Sequence, residues 1–315
     1  MKKIGIIGLG MASAPHARSL QDLKERVEVK AAFSPSVERR TAFAKTYGFP
    51  VADSSDAIFS DPLIGAVLLL TPPNTHLDLV RRASEAGKHI LLEKPLEISL
   101  ERAEELVAVA EKAGIKLGIV LQHRFRPISV TLAGLIREGR LGDIVSASAR
   151  LLNWRPQSYY DQPGRGTMAR DGGGVLLTQA IHTLDLMISL AGLPVEVTGY
   201  AVTSPVHRME TEDLAFAAIK FADGGIGELD RGHGEIFGFH PVDWAGDGVA
   251  GDLFGQSGHR NHQVERMDRL GEQDAAAVAR PGSASGLVVV ALRPPVVEPG
   301  RGADDVAEPA FAHQS

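Results

Sequence analysis

The start of the chain already limits the folds open to it. Ile4, Ile6 and Ile7 form a short apolar run that stops at Gly8, and Gly10, Met11 and Ala12 lead into residues of helical character from Ser13 onward. A strand that ends in a glycine turn and feeds a helix suits a phosphate. Gly8 permits the tight turn, Gly10 lacks a Cβ so that a pyrophosphate can approach the backbone, and the helix directs its N-terminal amides at the anion. Ser13 stands where the third glycine of G-x-G-x-x-G would be, so the fingerprint is imperfect, and any glycine turn between strand and helix would look similar.

The alternation continues. A helix over 13–24 and a strand over 28–33 are expected, and the end of that strand in a dinucleotide fold lies beside the adenosine ribose, where an acid binds the 2′-hydroxyl. Ser34 and Ser36 follow Phe33 instead, with Arg39 and Arg40 close behind. Hydroxyls with nearby guanidiniums suit a 2′-phosphate, so Ser34 and Arg39 favour NADP slightly over NAD. On the plainer reading, Arg39 and Arg40 are the solvated face of a helix over 36–47. A helix near 55–60 and an apolar strand over 66–70 come next, and the strand stops at Thr71-Pro72-Pro73-Asn74-Thr75-His76, where Asn74 or Thr75 is expected to cap a helix running to 86. A strand over 89–92 stops at Glu93-Lys94-Pro95, Ser99 caps a further helix with Gly114 past its end, and a strand over 116–121 follows.

Five or six strands interleaved with helices predict an α/β first domain, 1–123, with a doubly wound parallel sheet. Its ligand belongs at the carboxyl ends of the strands, where Gly8, Gly10, Thr71, Asn74, Glu93 and Lys94 fall. From 124 to 235 the pattern becomes α+β: a helix over 128–138, period-two alternation over 144–154, a loop rich in Arg, Tyr and Gly over 155–170, an apolar helix over 175–190, and strand-like runs at 195–203, 213–221 and 226–229. On that apolar helix the spacing i, i+4, i+7 sets Thr178, His182 and Asp185 in one polar stripe, either facing a wet cleft or simply the solvent side. Gly172, Gly173 and Gly174 in front of it let the backbone pass close to a ligand or to the other domain. His182 titrates near neutrality and Asp185 could orient it. Arg155, Tyr159, Tyr160, Arg165 and Arg170 lie in the preceding loop and could bind hydroxyls, a carboxylate or a phosphate, or form a folded surface loop.

A formal charge of −6, with no basic run interleaved with aromatics, argues against nucleic acid as a partner. Without cysteine there is no disulfide frame, thiolate nucleophile or thiolate metal site, and no metal is expected. No stretch approaches eighteen apolar residues, so no membrane span is expected, and the cytoplasm is the default location.

Gly8-Leu9-Gly10, the run Thr71 to His76, Glu93-Lys94-Pro95, and Gly172-Gly173-Gly174 with His182 and Asp185, taken together and in that order, resemble the glucose-fructose oxidoreductase and inositol dehydrogenase family, Gfo/Idh/MocA. The resemblance runs to about residue 229. It implies a Rossmann domain followed by a domain with an open, mainly antiparallel sheet, and NAD(P)-dependent oxidation or reduction of a sugar, cyclitol or related polyol. It implies catalytic roles for Lys94 and His182, cofactor contacts from Gly8, Gly10, Met11, Ala12, Ser34, Arg39, Thr71, Asn74, His76, Glu93 and Lys94, and substrate contacts from Lys94, Arg155, Tyr160, Arg165, Thr178, His182 and Asp185. Relatives commonly pair through the open sheet, so a homo-oligomer is expected if that sheet is complete. The family often has an aspartate four residues before the histidine; Thr178 stands there, which argues against a three-residue proton relay. An NAD-dependent glycosidase of the same fold and a non-catalytic NAD(P)-binding protein are the alternatives.

Past Arg231 the pattern fades. Lysine is absent after Lys220, tyrosine after Tyr200 and isoleucine after Ile236, and only 286–292 looks strand-like. A variable tail or a shift of reading frame over 236–315 would each give this change, and the expectation is a loosely packed tail that leaves the second sheet incomplete, with an exposed edge. His233, His240, His259 and His262 fit no metal-ligand spacing.

Overall fold

The computed structural model describes residues 1–232 and the strand Leu287–Arg293. The first part alternates as expected: β1 (Lys2–Ile7), α1 (Ser13–Asp22), β2 (Val27–Phe33), α2 (Val37–Tyr47), α3 (Ser55–Ser60), β3 (Ala66–Leu69), α4 (His76–Glu85), β4 (His89–Glu93), α5 (Leu100–Lys112) and β5 (Leu117–Val120). The five strands are parallel in the order β2-β1-β3-β4-β5, which sets the switch of winding beside β1. Successive residues of the buried strands serve opposite faces. Ile6 and Leu68 pack with Ala17 and Phe43 on one side, while Ile7, Leu69 and Leu92 pack with Ile58, Leu77 and Leu106 on the other. Apolar residues on both faces are what a parallel strand between two helical layers requires.

Capping agrees with the sequence at Ser99, adds a cap at Ser36 and departs from the sequence at one helix. Ser36 and Ser99 accept from the amides of Arg39 (3.1 Å) and Arg102 (3.4 Å) at the starts of α2 and α5. At α4 neither Asn74 nor Thr75 caps. A 3₁₀ turn, Pro73–Thr75, leads straight into the helix, and Thr75 Oγ1 is spent on the Thr71 hydroxyl (2.8 Å) and the Pro72 carbonyl (2.7 Å).

After α6 (Pro127–Arg137), β6 (Asp143–Leu152) enters a second sheet. Two short turns, α7 (Gln157–Tyr160) and α8 (Met168–Asp171), lead to α9 (Ile181–Ala191), then β7 (Pro194–Val202), β8 (Leu214–Phe221) and β9 (Ile226–Gly232); β10 (Leu287–Arg293) is the last described strand. The order is β10-β6-β9-β8-β7, with β6 and β9 parallel and the remaining pairs antiparallel. The strand-like run at 286–292 thus joins the sheet, with β10 lying along the edge of β6, where the sequence leads to the expectation of an incomplete sheet. The rest of the tail, including the four histidines past Arg231, lies outside the described residues. α9 covers one face of the sheet through Met187 and Ala191, which meet Ala147, Ala149, Ile219, Phe221 and Leu229. On the other face Tyr200 and Phe216 pair in register and are 81% and 52% exposed.

By length and composition alone the run Met168–Ala191 is apolar enough to cross a membrane, a test that the buried core helix of a globular domain also passes. Gly172, at φ +74°, breaks the run, and α9 is packed into the core of the second sheet.

Candidate active site

The first-sheet turns meet the second part of the chain along one cleft of about 790 Å³. Gly8, Gly10, Met11, Ala12, Ser34, Arg39, Thr71, Glu93 and Lys94 line it from the first part, and Tyr159, Arg165, Arg170, Asp171 and Thr178 from the second. Gly8 holds φ +104°, and a Cβ there would stand 2.6 Å from the Leu70 carbonyl carbon, so the turn off β1 is packed directly against β3. Gly10 differs: a Cβ there would meet no protein atom within 4 Å. That open space, with no acid in the first turn of α1 and no side chain capping its amides, is a fit for a pyrophosphate, so the residues present suit a dinucleotide.

Glu93 and Lys94 are not a simple ion pair in a loop. His16 Nε2 bonds Glu93 Oε1 at 2.7 Å, and Lys94 Nζ donates to the Thr178 carbonyl at 2.7 Å, tying the end of β4 to α1 and to the glycine-led segment. Burial alone would push the Glu93 carboxyl up, but the His16 bond and the charges of His16 and Lys94 outweigh it and hold it low. Burial lowers the Lys94 ammonium, the Glu93 charge opposes that, and Arg165 and Arg155 push in the same direction as burial.

The glycines before α9 are required by packing. A Cβ on Gly172 would stand 2.4 Å from Ile98 Cα, and one on Gly174 would stand 1.8 Å from the Glu212 carbonyl oxygen. Glu212 accepts from the amides of Gly174 (2.9 Å) and Leu176 (3.1 Å), fixing how the helix begins. The close approach is therefore to the other half of the molecule and to β8's leading loop. The helix then runs through a π-turn, Leu176–Ala180, before α9. One extra residue in that turn breaks the expected i, i+4, i+7 stripe. Thr178 Oγ1 bonds back to the Gly174 carbonyl (2.7 Å), and what it offers to the cleft region is its own carbonyl, which Lys94 occupies.

His182, at the start of α9, is half-buried, and its Nδ1 is buried without a hydrogen-bond partner among the described residues. Asp185 does not orient it, because Arg124 takes the Asp185 carboxylate with two hydrogen bonds at 2.6 and 2.5 Å. The ring facing His182 is His123, 5.1 Å between centroids, from the turn after β5. Burial above all, then the charges of Lys94 and His123, push His182 down to about 4. At neutral pH its imidazole is uncharged.

Other expected contacts are elsewhere. His76 is fully buried and braces the backbone, with ring nitrogens on the carbonyls of Leu96 (3.1 Å) and Thr71 (3.0 Å). Asn74 is not among the residues lining the cleft, and its carbonyl accepts from Arg102 at 3.4 Å. Tyr160 is buried with its hydroxyl accepting from Gln179 (3.2 Å); its neighbour Tyr159 is the one that lines the cleft. Arg155 reaches the cleft only through Tyr159, over whose ring it lies at 5.2 Å. Ser36 is used as the cap of α2, and Arg40 bonds the Ser34 carbonyl (2.7 Å), so Arg39 is the arginine facing the cleft. His16, His123 and Arg124 were not expected. The rule that ligands gather at strand carboxyl ends, applied to β5 as it was to β1, β3 and β4, would have pointed to His123 and Arg124. Among the described residues no group of three or more His, Asp or Glu side chains could hold a metal ion.

A parallel sheet with a glycine turn on its first strand, opening on a cleft closed by a second sheet-and-helix unit, defines a Rossmann-type dinucleotide-binding protein. Residues 2–120 match the model of the oxidoreductase family with an NAD-binding Rossmann fold, and residues 130–233 match the GFO/IDH/MocA C-terminal domain. The chain belongs to the Gfo/Idh/MocA family. It is 33% identical over 199 residues to the uncharacterized oxidoreductase YdgJ of Escherichia coli, covering 62% of this chain and 55% of that one. It is 31% identical over 204 residues to inositol 2-dehydrogenase of Rhizobium meliloti, covering 63% and 58%. It superposes on the WlbA dehydrogenase from Bordetella pertussis, solved in complex with NADH and UDP-GlcNAcA, with a TM-score of 0.70 and 27% identity, over 74% of this chain and 67% of that one. The chain thus spans under two thirds of the length of these curated relatives.

Proposed function

We propose that the chain transfers hydride between a hydroxyl-bearing carbon of a sugar or polyol and a nicotinamide dinucleotide. The observation that carries this is that Lys94 lines the cleft that begins at Gly8 and Gly10 while His182, from the second part of the chain, lies near enough for the Lys94 charge to push its imidazole down. Gly10 and the first amides of α1 would hold the pyrophosphate, and the bound nicotinamide would supply the hydride acceptor. His182, neutral at pH 7, takes the proton of the reacting hydroxyl. Lys94 donates a hydrogen bond to the same oxygen and stabilises the negative charge that develops on it. The Thr178 carbonyl aims that ammonium, and Glu93, held by His16, limits the cost of burying it.

Arg39, facing the cleft beyond an acid-free end of β2, supports NADP over NAD. The inositol and WlbA relatives support a cyclitol or sugar as substrate. The exposed Tyr200 and Phe216 support pairing with a second copy through the open sheet face. A panel of sugars, acids and cyclitols with both cofactors, followed at the nicotinamide absorbance, tests the reading. Tight cofactor binding with no absorbance change across the panel would overturn it.

A further inference from the structure

Positive charge gathers around Lys94, whose ammonium feels the charges of Arg165 and Arg155. Lys94, Arg165 and Arg170 line the cleft, and the guanidinium carbons of Arg155 and Arg165 lie 5.2 and 4.3 Å from the centroid of the Tyr159 ring. Arg165 also donates to the Tyr159 hydroxyl at 2.7 Å, which fixes its fork in place. The carboxylates whose charge reaches Lys94 are Glu93 and Asp171, and both are already engaged. Glu93 is bonded to His16, while Asp171 accepts from Arg170 (3.0 Å) and from the Gly166 amide (2.8 Å).

Arg155 and Arg165 are left without a counter-charge. Neither makes a salt bridge among the described residues, and the Nε of each is buried with no hydrogen-bond partner. A guanidinium drawn into a partly buried site without a counter-charge is costly, and a planar anion meeting its fork offsets that cost. A neutral sugar would leave the two guanidiniums repelling the Lys94 ammonium; an acidic one would relieve that repulsion.

We propose that Arg165, steadied by Tyr159 and backed by the charge of Arg155 over the same ring, recognises a carboxylate of the substrate, so that the chain acts on acidic sugars such as uronic or aldonic acids. The inference rests on the hydride-transfer reading above and deepens it. The carboxylate anchors one end of the sugar, which turns the reacting hydroxyl toward Lys94 and His182. No bond is made or broken at the arginines.

The test is calorimetric binding to the full chain in the presence of NADH, using glucuronate, galacturonate and gluconate, each beside its own neutral amide, with glucose 6-phosphate as a separate arm. At least one acid should bind about 10-fold or more tightly than its amide. The preference should vanish in Arg165→Met, shrink in Arg155→Met and be partly kept in Arg165→Lys. The inference is overturned if every acid binds no better than its amide. It is overturned equally if the preference survives both methionine variants, if only the phosphate ester binds in an arginine-dependent way, or if Arg165→Met weakens NADH binding as much as acid binding. Failure of the function reading looks different: the acid preference would be present and no sugar of either class would change the nicotinamide absorbance.

Discussion

The two halves of the cleft are built by different means. On the first-sheet side, the main functional positions are the first residue or two past a strand, and their placement follows from where the strand stops: Gly8 after β1, Thr71 after β3, Lys94 after β4. On the opposite side, the functional groups sit on a π-turned helix and a loop, and pairings far apart in sequence hold them: Gly174 on Glu212, Arg124 on Asp185, Lys94 on the Thr178 carbonyl. A turn that faces the open cleft, as at Gly10, has room for a Cβ, whereas one packed on backbone, as at Gly8 and above all at Gly174, does not.

Glycine substitutions expose the difference most sharply. Gly174→Val would drive a Cβ to 1.8 Å from the Glu212 carbonyl oxygen, so it should cost roughly 4 kcal/mol or more and leave little folded protein in urea titration. Gly10→Ala meets no protein atom, so its stability should stay within about 1 kcal/mol of the parent while its affinity for the dinucleotide falls about 10-fold or more, read by cofactor fluorescence. Equal stability losses at the two positions would erase the contrast.

The same contrast decides what the sequence could reveal. The alternation of apolar strands and helices, with the serine cap at Ser99, is local, and it identified the parallel sheet and the residues at its ends. The π-turn after Gly174 has no signature in a helical period, so Thr178 and Asp185 were assigned to His182's stripe when one bonds its own backbone and the other binds Arg124. His76 shows the reverse error. It lies inside the motif at the end of β3, yet burial has turned it into a backbone brace. Which of two adjacent tyrosines faces a cleft is likewise a matter of tertiary contact.

Two smaller effects refine the comparison. With His182 at about 4, sugar oxidation needs the neutral imidazole, which is present at pH 7 and lost as the pH falls through about 4, so kcat/KM should show an acid limb there. Arg124→Ala removes the cation that neutralises Asp185, and the freed carboxylate should stabilise the imidazolium and move that limb upward; Asp185→Asn, which removes the charge, should not. A limb that stays in place in Arg124→Ala would remove Asp185 from the electrostatics of the site. On the strand-end side, Arg39→Ala should reduce the preference for NADP over NAD by about 10-fold, leaving turnover with saturating cofactor unchanged.

The central claim is that two parts of the chain meet to move one proton, with Lys94 holding the oxygen and His182 taking the proton. Steady-state turnover of His182→Ala, measured beside its NADPH affinity on any sugar the parent oxidises, tests it most directly. Turnover should fall by about 100-fold or more with cofactor affinity unchanged. Parental turnover in that variant would contradict the account.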